Sequence, residues 1–70
     1  MPLTMAGAGA AGTVQRICGR DETRRFLASL GFVEGAAVTV VSAMAGSLIV
    51  CIRDTRVALS QQMASRIMIG

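Results

Sequence analysis

The chain has no histidine, lysine, tryptophan or tyrosine, one proline, two cysteines and two phenylalanines. Each shortage closes a class of function. Without histidine, the commonest metal ligand and the usual acid/base of neutral pH are missing. Four carboxylates remain, Asp21, Glu22, Glu34 and Asp54, and no two are spaced to share proton chemistry. The serines have neither a general base nor an orienting partner. No catalytic residue is therefore expected. Phe26 and Phe32 are better spent on a core than on stacking bases. All the basic residues are arginine, and seven of them against four acids leave a net charge of +3 with no basic run. Nucleic acid is not the expected partner of so dispersed a charge.

The missing lysine also decides the glycine-rich stretch Ala6 to Gly12, AGAGAAG. A phosphate-binding loop needs lysine followed by serine or threonine at the start of a helix. Here Gly12 leads into Thr13, Val14 and Gln15, and a strand follows. The stretch reads as a flexible linker. No apolar run approaches the ~20 residues of a membrane span, and the N-terminus lacks the basic region of a signal peptide. A cytoplasmic protein with no direct membrane insertion is expected. Cys18 and Cys51 are far apart and outside any CxxC motif, so they read as buried thiols filling apolar space. The five methionines and two cysteines show no ligand spacing. No cofactor and no metal site is expected.

Seventy residues make one domain, residues 1–70, near the lower limit for a self-sufficient core. With 53% hydrophobic and only 16% charged residues, its surface must expose apolar atoms to a second copy or to a partner.

What is present is organised around Asp21 to Gly35, DETRRFLASLGFVEG. Asp21 suits the N-cap of a helix, and Glu22 suits the positive end of its dipole. Thr23, Phe26, Leu27 and Leu30 recur at i, i+3, i+4 and i+7 and gather on one face. Arg24, Arg25, Ala28 and Ser29 fall on the other. Gly31 supplies the left-handed residue that ends a helix, with Phe32 folding back onto the last turn. At ~1.5 Å per residue, such a helix is about 14 Å long. It is too short to persist alone and needs a sheet to lie on.

The flanking segments read as that sheet. Pro2 to Met5 fits a short edge strand with Leu3 and Met5 on one side. Thr13 to Cys18 is a strand whose Val14 and Ile17 lie three apart, which predicts a bulge or a strong twist near Arg16. Gly19 and Arg20 turn into the helix, and Glu34-Gly35 turns out of it. Ala36 to Ser42 carries Val38 and Val40 on one face. Met44-Ala45-Gly46 connects it to Ser47–Arg53, where Leu48, Val50 and Ile52 point inward. The opposite face of that strand carries Ile49 and Cys51, which are also apolar. Either the helix or a tail covers them, or they form a docking surface. A turn at Asp54-Thr55 leads to Arg56–Leu59, with Val57 and Leu59 inward. Ser60 caps a helical turn, SQQMA, whose Met63 plugs the end of the barrel, and Arg66–Ile69 is the last strand. Five to six short strands with one inserted helix predict a mostly β fold, a small barrel.

The order of these features resembles the FeoA family. The residues that carry the likeness are Leu3, Gly12-x-Val14-x-x-Ile17 and Arg24-Arg25-Phe26-Leu27-x-x-Leu30-Gly31-Phe32-x-x-Gly35. It continues through Val38-x-Val40, Leu48-Ile49-Val50, Val57-Ala58-Leu59 and Met63-Ala64-x-x-Ile67. One departure is the turn at Asp54-Thr55, where many members have glycine. The resemblance implies an SH3-like barrel and a small cytoplasmic component of bacterial ferrous iron uptake. It also implies a partner, the membrane transporter FeoB with its cytoplasmic GTP-binding domain. The protein would then be membrane-associated only through that partner. On that reading Arg24 and Arg25 steer the approach, while Ile49 and Cys51 supply apolar contact. Other readings are a metal-responsive sensor using Cys18, Cys51 or Glu34, a small barrel that binds nucleic acid, and a self-associating domain forming homo-oligomers.

Overall fold

Period-two apolar alternation dominates the second half of the chain, and in the computed structural model it becomes a curled sheet. The structure describes all of residues 1–70. Five strands, β1 (Ala11–Ile17), β2 (Ala37–Met44), β3 (Ser47–Ile52), β4 (Thr55–Ser60) and β5 (Ile67–Ile69), run antiparallel in the order β4-β3-β2-β1-β5. Helix α1 (Asp21–Ser29) follows β1, and the single turn α2 (Gln61–Ala64) precedes β5. This is the expected mostly β architecture, with one inserted helix and a helical turn before the last strand.

Strand β1 closes the barrel by changing partners along its length. Ala11 to Thr13 pair with β2, while Val14 to Ile17 pair with β5. The register slips between Val14 and Arg16, the first of the two outcomes that the Val14–Ile17 spacing predicts. A second slip lies in β2 between Val40 and Ser42, making Val41 an extra residue that stands partly exposed. Such bulges bend a strand and sharpen its twist, which lets the two halves of the sheet fold onto one core. Leu48, Val50 and Ile52 point into it, together with Val14, Val38, Val40, Leu59, Ile67 and Ile69. Leu3, Leu27, Phe32 and Ala64 close its ends. No polar or charged side chain is buried. Every ionisable group of the chain is therefore on the outside or at a partly covered rim.

The structure corrects several local expectations. Pro2 makes only an isolated bridge to Met68, and Leu3–Met5 is a 3-10 turn. Leu3 is fully buried while Met5 stays 72% exposed, so the two do not share a side. Pro2 cannot donate, and the sheet contact at this edge is instead made by Met1, whose carbonyl accepts from Ile69 N at 2.7 Å. The Ala6–Gly12 linker is pinned: Gly9 N donates to Val40 O at 2.7 Å, and Val40 N donates to Ala10 O at 2.8 Å. The hairpin between β2 and β3 is tighter than expected, with Met44 paired to Ser47 across Ala45-Gly46. The next turn is centred on Arg53-Asp54, one residue before the expected place. Both of its residues are left-handed, with φ of 50° and 61°. Cys18 and Cys51 are free thiols, half-buried where full burial was expected.

Ser60 caps α2 as predicted, its Oγ accepting from Met63 N at 3.2 Å. Met63 is half-buried against the core.

Candidate docking surface

Helix α1 is the element that shapes the outside. Its C-terminus is closed by two backbone bonds, Gly31 N to Ala28 O at 3.0 Å and Phe32 N to Leu27 O at 3.1 Å. Gly31 has φ 109°. This is the Schellman arrangement, and it swings Phe32 back into the core, where it is fully buried. The N-terminus differs from expectation. Arg20 occupies the cap position without a side-chain bond, and Asp21 is the first helical residue. The carboxylates of Asp21 and Glu22 thus act through the helix dipole rather than as a cap.

Within α1 only Leu27 is fully buried. Thr23 and Leu30 are half-covered, and Phe26, expected on the same inward face, is 50% exposed. A helix so short, anchored by one side chain, presents most of its girth to solvent. Asp21, Arg24, Arg25 and Ala28 form a second stripe at i, i+3, i+4 and i+7. That stripe is one wall of an open cleft of about 540 Å³. Arg16 and Ile17 of β1 form another wall, and Phe32, Val33 and Glu34 from the α1–β2 connection line the rest. The rim is charged and the lining between is apolar. Arg24 Nη1 lies 3.6 Å from Asp21 Oδ1, with side chains 57% and 80% exposed. So exposed a pair is worth about 0–1 kcal/mol and does not hold either group in place.

Val33 and Glu34 also border a second cleft of about 550 Å³, whose lining includes Thr39, Cys51, Arg53 and Asp54. Of the residues expected to meet a partner, Arg24 and Arg25 therefore stand together in the first cleft and Cys51 lines the second. Ile49 lines neither. It lies on the outer face of β3 between Ser42 and Ala58 on the neighbouring strands. Ile49 and Cys51 are both half-buried. They sit on an interior strand of the sheet, flanked on both sides by cross-strand neighbours. Nowhere do three His, Cys, Asp or Glu side chains come together in a way that could hold a metal ion. No helix is long and apolar enough to cross a membrane.

Sequence reasoning missed Arg16. The signal was present in the broken alternation between Val14 and Ile17, but it pointed to the backbone and not to the side chain it would redirect.

The chain matches the family model for the FeoA domain over residues 1–70. A crystal structure of an iron uptake regulatory protein, FeoA, superposes with a TM-score of 0.92 at 32% identity, covering 99% of this chain and 92% of that one. FeoA of Stenotrophomonas maltophilia in complex with zinc, described as a procaryotic SH3 domain protein, gives a TM-score of 0.85 at 29% identity. That match covers 100% of this chain and 89% of the other. A manganese-dependent transcriptional repressor contains a similar unit, with a TM-score of 0.91 at 28% identity over 99% of this chain and 40% of its own. No curated protein sequence matches.

Proposed function

The chain belongs to the FeoA family, and from that premise we propose that it is a cytoplasmic adaptor that regulates bacterial ferrous iron uptake by docking onto the FeoB transporter. Its family is associated with ferrous iron transport and is a small accessory domain rather than a known enzyme family. The observation that carries the reading is α1. It buries only Leu27 and leaves an arginine-bearing stripe facing an open cleft, on a domain whose interior holds no polar side chain.

Docking would proceed in two physical stages. Arg24 and Arg25, exposed and only weakly engaged by Asp21, attract an acidic surface and speed encounter. Burial of aliphatic area around Val33, Ile49 and Cys51 then supplies affinity at ~25 cal/mol per Å², less the cost of association. The half-covered state of Ile49 and Cys51 supports this role, because some apolar area remains for another protein to cover. The outcome is regulation by contact, with no chemistry performed by the adaptor.

Calorimetric titration of the chain into the cytoplasmic GTP-binding domain of FeoB tests the reading. Saturable binding, weakened by rising salt, is expected. Absence of heat at all concentrations and temperatures would reject it.

A further inference from the structure

The bulge in β1 has a consequence for the cleft beside α1. Val14 points into the core and is buried. In a regular strand Arg16, two residues on, would share that inward face. The slip between Val14 and Arg16 breaks the alternation, so Arg16 lies exposed at the cleft wall while Ile17 turns toward the core. Bulges are a common device for re-aiming a side chain. Here the device brings a guanidinium from the sheet to the face of α1 that carries Arg24 and Arg25.

We infer that this cleft is a binding site for an acidic linear peptide segment of a protein partner, with Arg16, Arg24 and Arg25 gripping its carboxylates. The choice of a protein occupant rests on the adaptor reading. Three arginines face two carboxylates in the lining, Asp21 and Glu34. Asp21 is already turned toward Arg24, while Arg16 and Arg25 have no carboxylate within ion-pair distance. Guanidinium groups present a planar fork that matches carboxylates two bonds at a time. Between the arginines, Ile17, Ala28 and Val33 offer an apolar floor, which suits a leucine-like side chain flanked by acids. The volume, about 540 Å³, is that of a site for a few side chains.

The test uses the isotope-labelled chain and a five-residue peptide, DELDE, acetylated and amidated at its ends. Amide shifts are expected at Arg16, Ala28 and Val33, fading as salt rises. Arg16→Glu should weaken the peptide at least tenfold with an otherwise unchanged spectrum. Arg66→Glu, which makes the same charge change outside the cleft, should leave affinity within twofold. No shift at the cleft overturns the inference, as does equal weakening by both variants, since that reports only net charge. Tighter engagement of the same residues by phosphatidylglycerol vesicles than by the peptide overturns it in favour of a membrane surface. The transporter domain separates the two proposals. If it binds the wild type and Arg16→Glu equally, the cleft assignment falls while the adaptor reading stands. If the peptide binds as expected and the domain does not, the adaptor reading falls and the cleft remains a peptide site.

Discussion

At the scale of single residues, backbone handedness decides more than side-chain chemistry. Gly31 combines φ 109° with a buried position where an added Cβ would lie 3.3 Å from Arg53 Cδ. The arginine arm can yield, so the main cost is the left-handed backbone, ~1–2 kcal/mol. Gly31→Ala should lower stability by about that amount in urea unfolding, and an unchanged midpoint would refute the assignment. This glycine was legible, because Leu-Gly-Phe after an amphipathic stretch names the end of a helix. The turn at Arg53-Asp54 was less so. Type I′ turns favour asparagine and glycine, and neither is present to mark the left-handed pair. Only Asp54 suggested a turn, and its centre was placed one residue late. Asp54→Gly should stabilise the domain by up to ~1 kcal/mol by relieving that conformation. A loss of stability would mean that the aspartate side chain holds the turn.

At the scale of elements, the balance lies between a well-secured sheet and a lightly held helix. Leu27 is the single fully buried side chain of α1, so Leu27→Ala should cost about 2–5 kcal/mol, a large share of what a domain this small possesses. Loss of protection from hydrogen exchange should begin in α1. The cap of α2 is a smaller contribution: Ser60→Ala removes the bond to Met63 N and should cost about 0.5–2 kcal/mol. The amphipathic period of α1 was readable, but its depth of burial was not. Periodicity assigns Phe26 and Leu27 to one side, and only the position of the sheet decides that Phe26 stands half in solvent. The β1 bulge was readable because Val14 and Ile17 break alternation. The β2 bulge was not, because Val40 and Val41 are alike and no residue type marks the extra one. Leu3 and Met5 imitated a strand. The chain winds there instead into the 3-10 turn Leu3–Met5, closed by Met5 N donating to Pro2 O and Ala6 N to Leu3 O, each at 3.0 Å.

At the scale of the whole molecule, composition predicts apolar atoms on the surface, and Met1, Met5, Phe26, Val41 and Met44 stand exposed there. A chain with 53% hydrophobic and 16% charged residues builds an interior free of polar side chains and leaves all its charged groups outside it. Arg24, Arg25 and Cys51 were each named from sequence, but not their division between two clefts that share Val33 and Glu34. That division depends on how the connection after Gly31 crosses the sheet, which no local pattern encodes. Ile49 stands apart from both clefts. A partner that uses all four residues must therefore wrap from the α1 cleft across to the outer face of β3.

The most direct measurement is the footprint of FeoB's cytoplasmic domain on the labelled chain, read amide by amide. The account predicts perturbations concentrated at Arg16, Arg24, Arg25 and Val33, extending to Cys51 and Ile49, with Met5, which lines neither cleft, unmoved. A footprint centred on Met5 or Met44, with the α1 cleft silent, would contradict it.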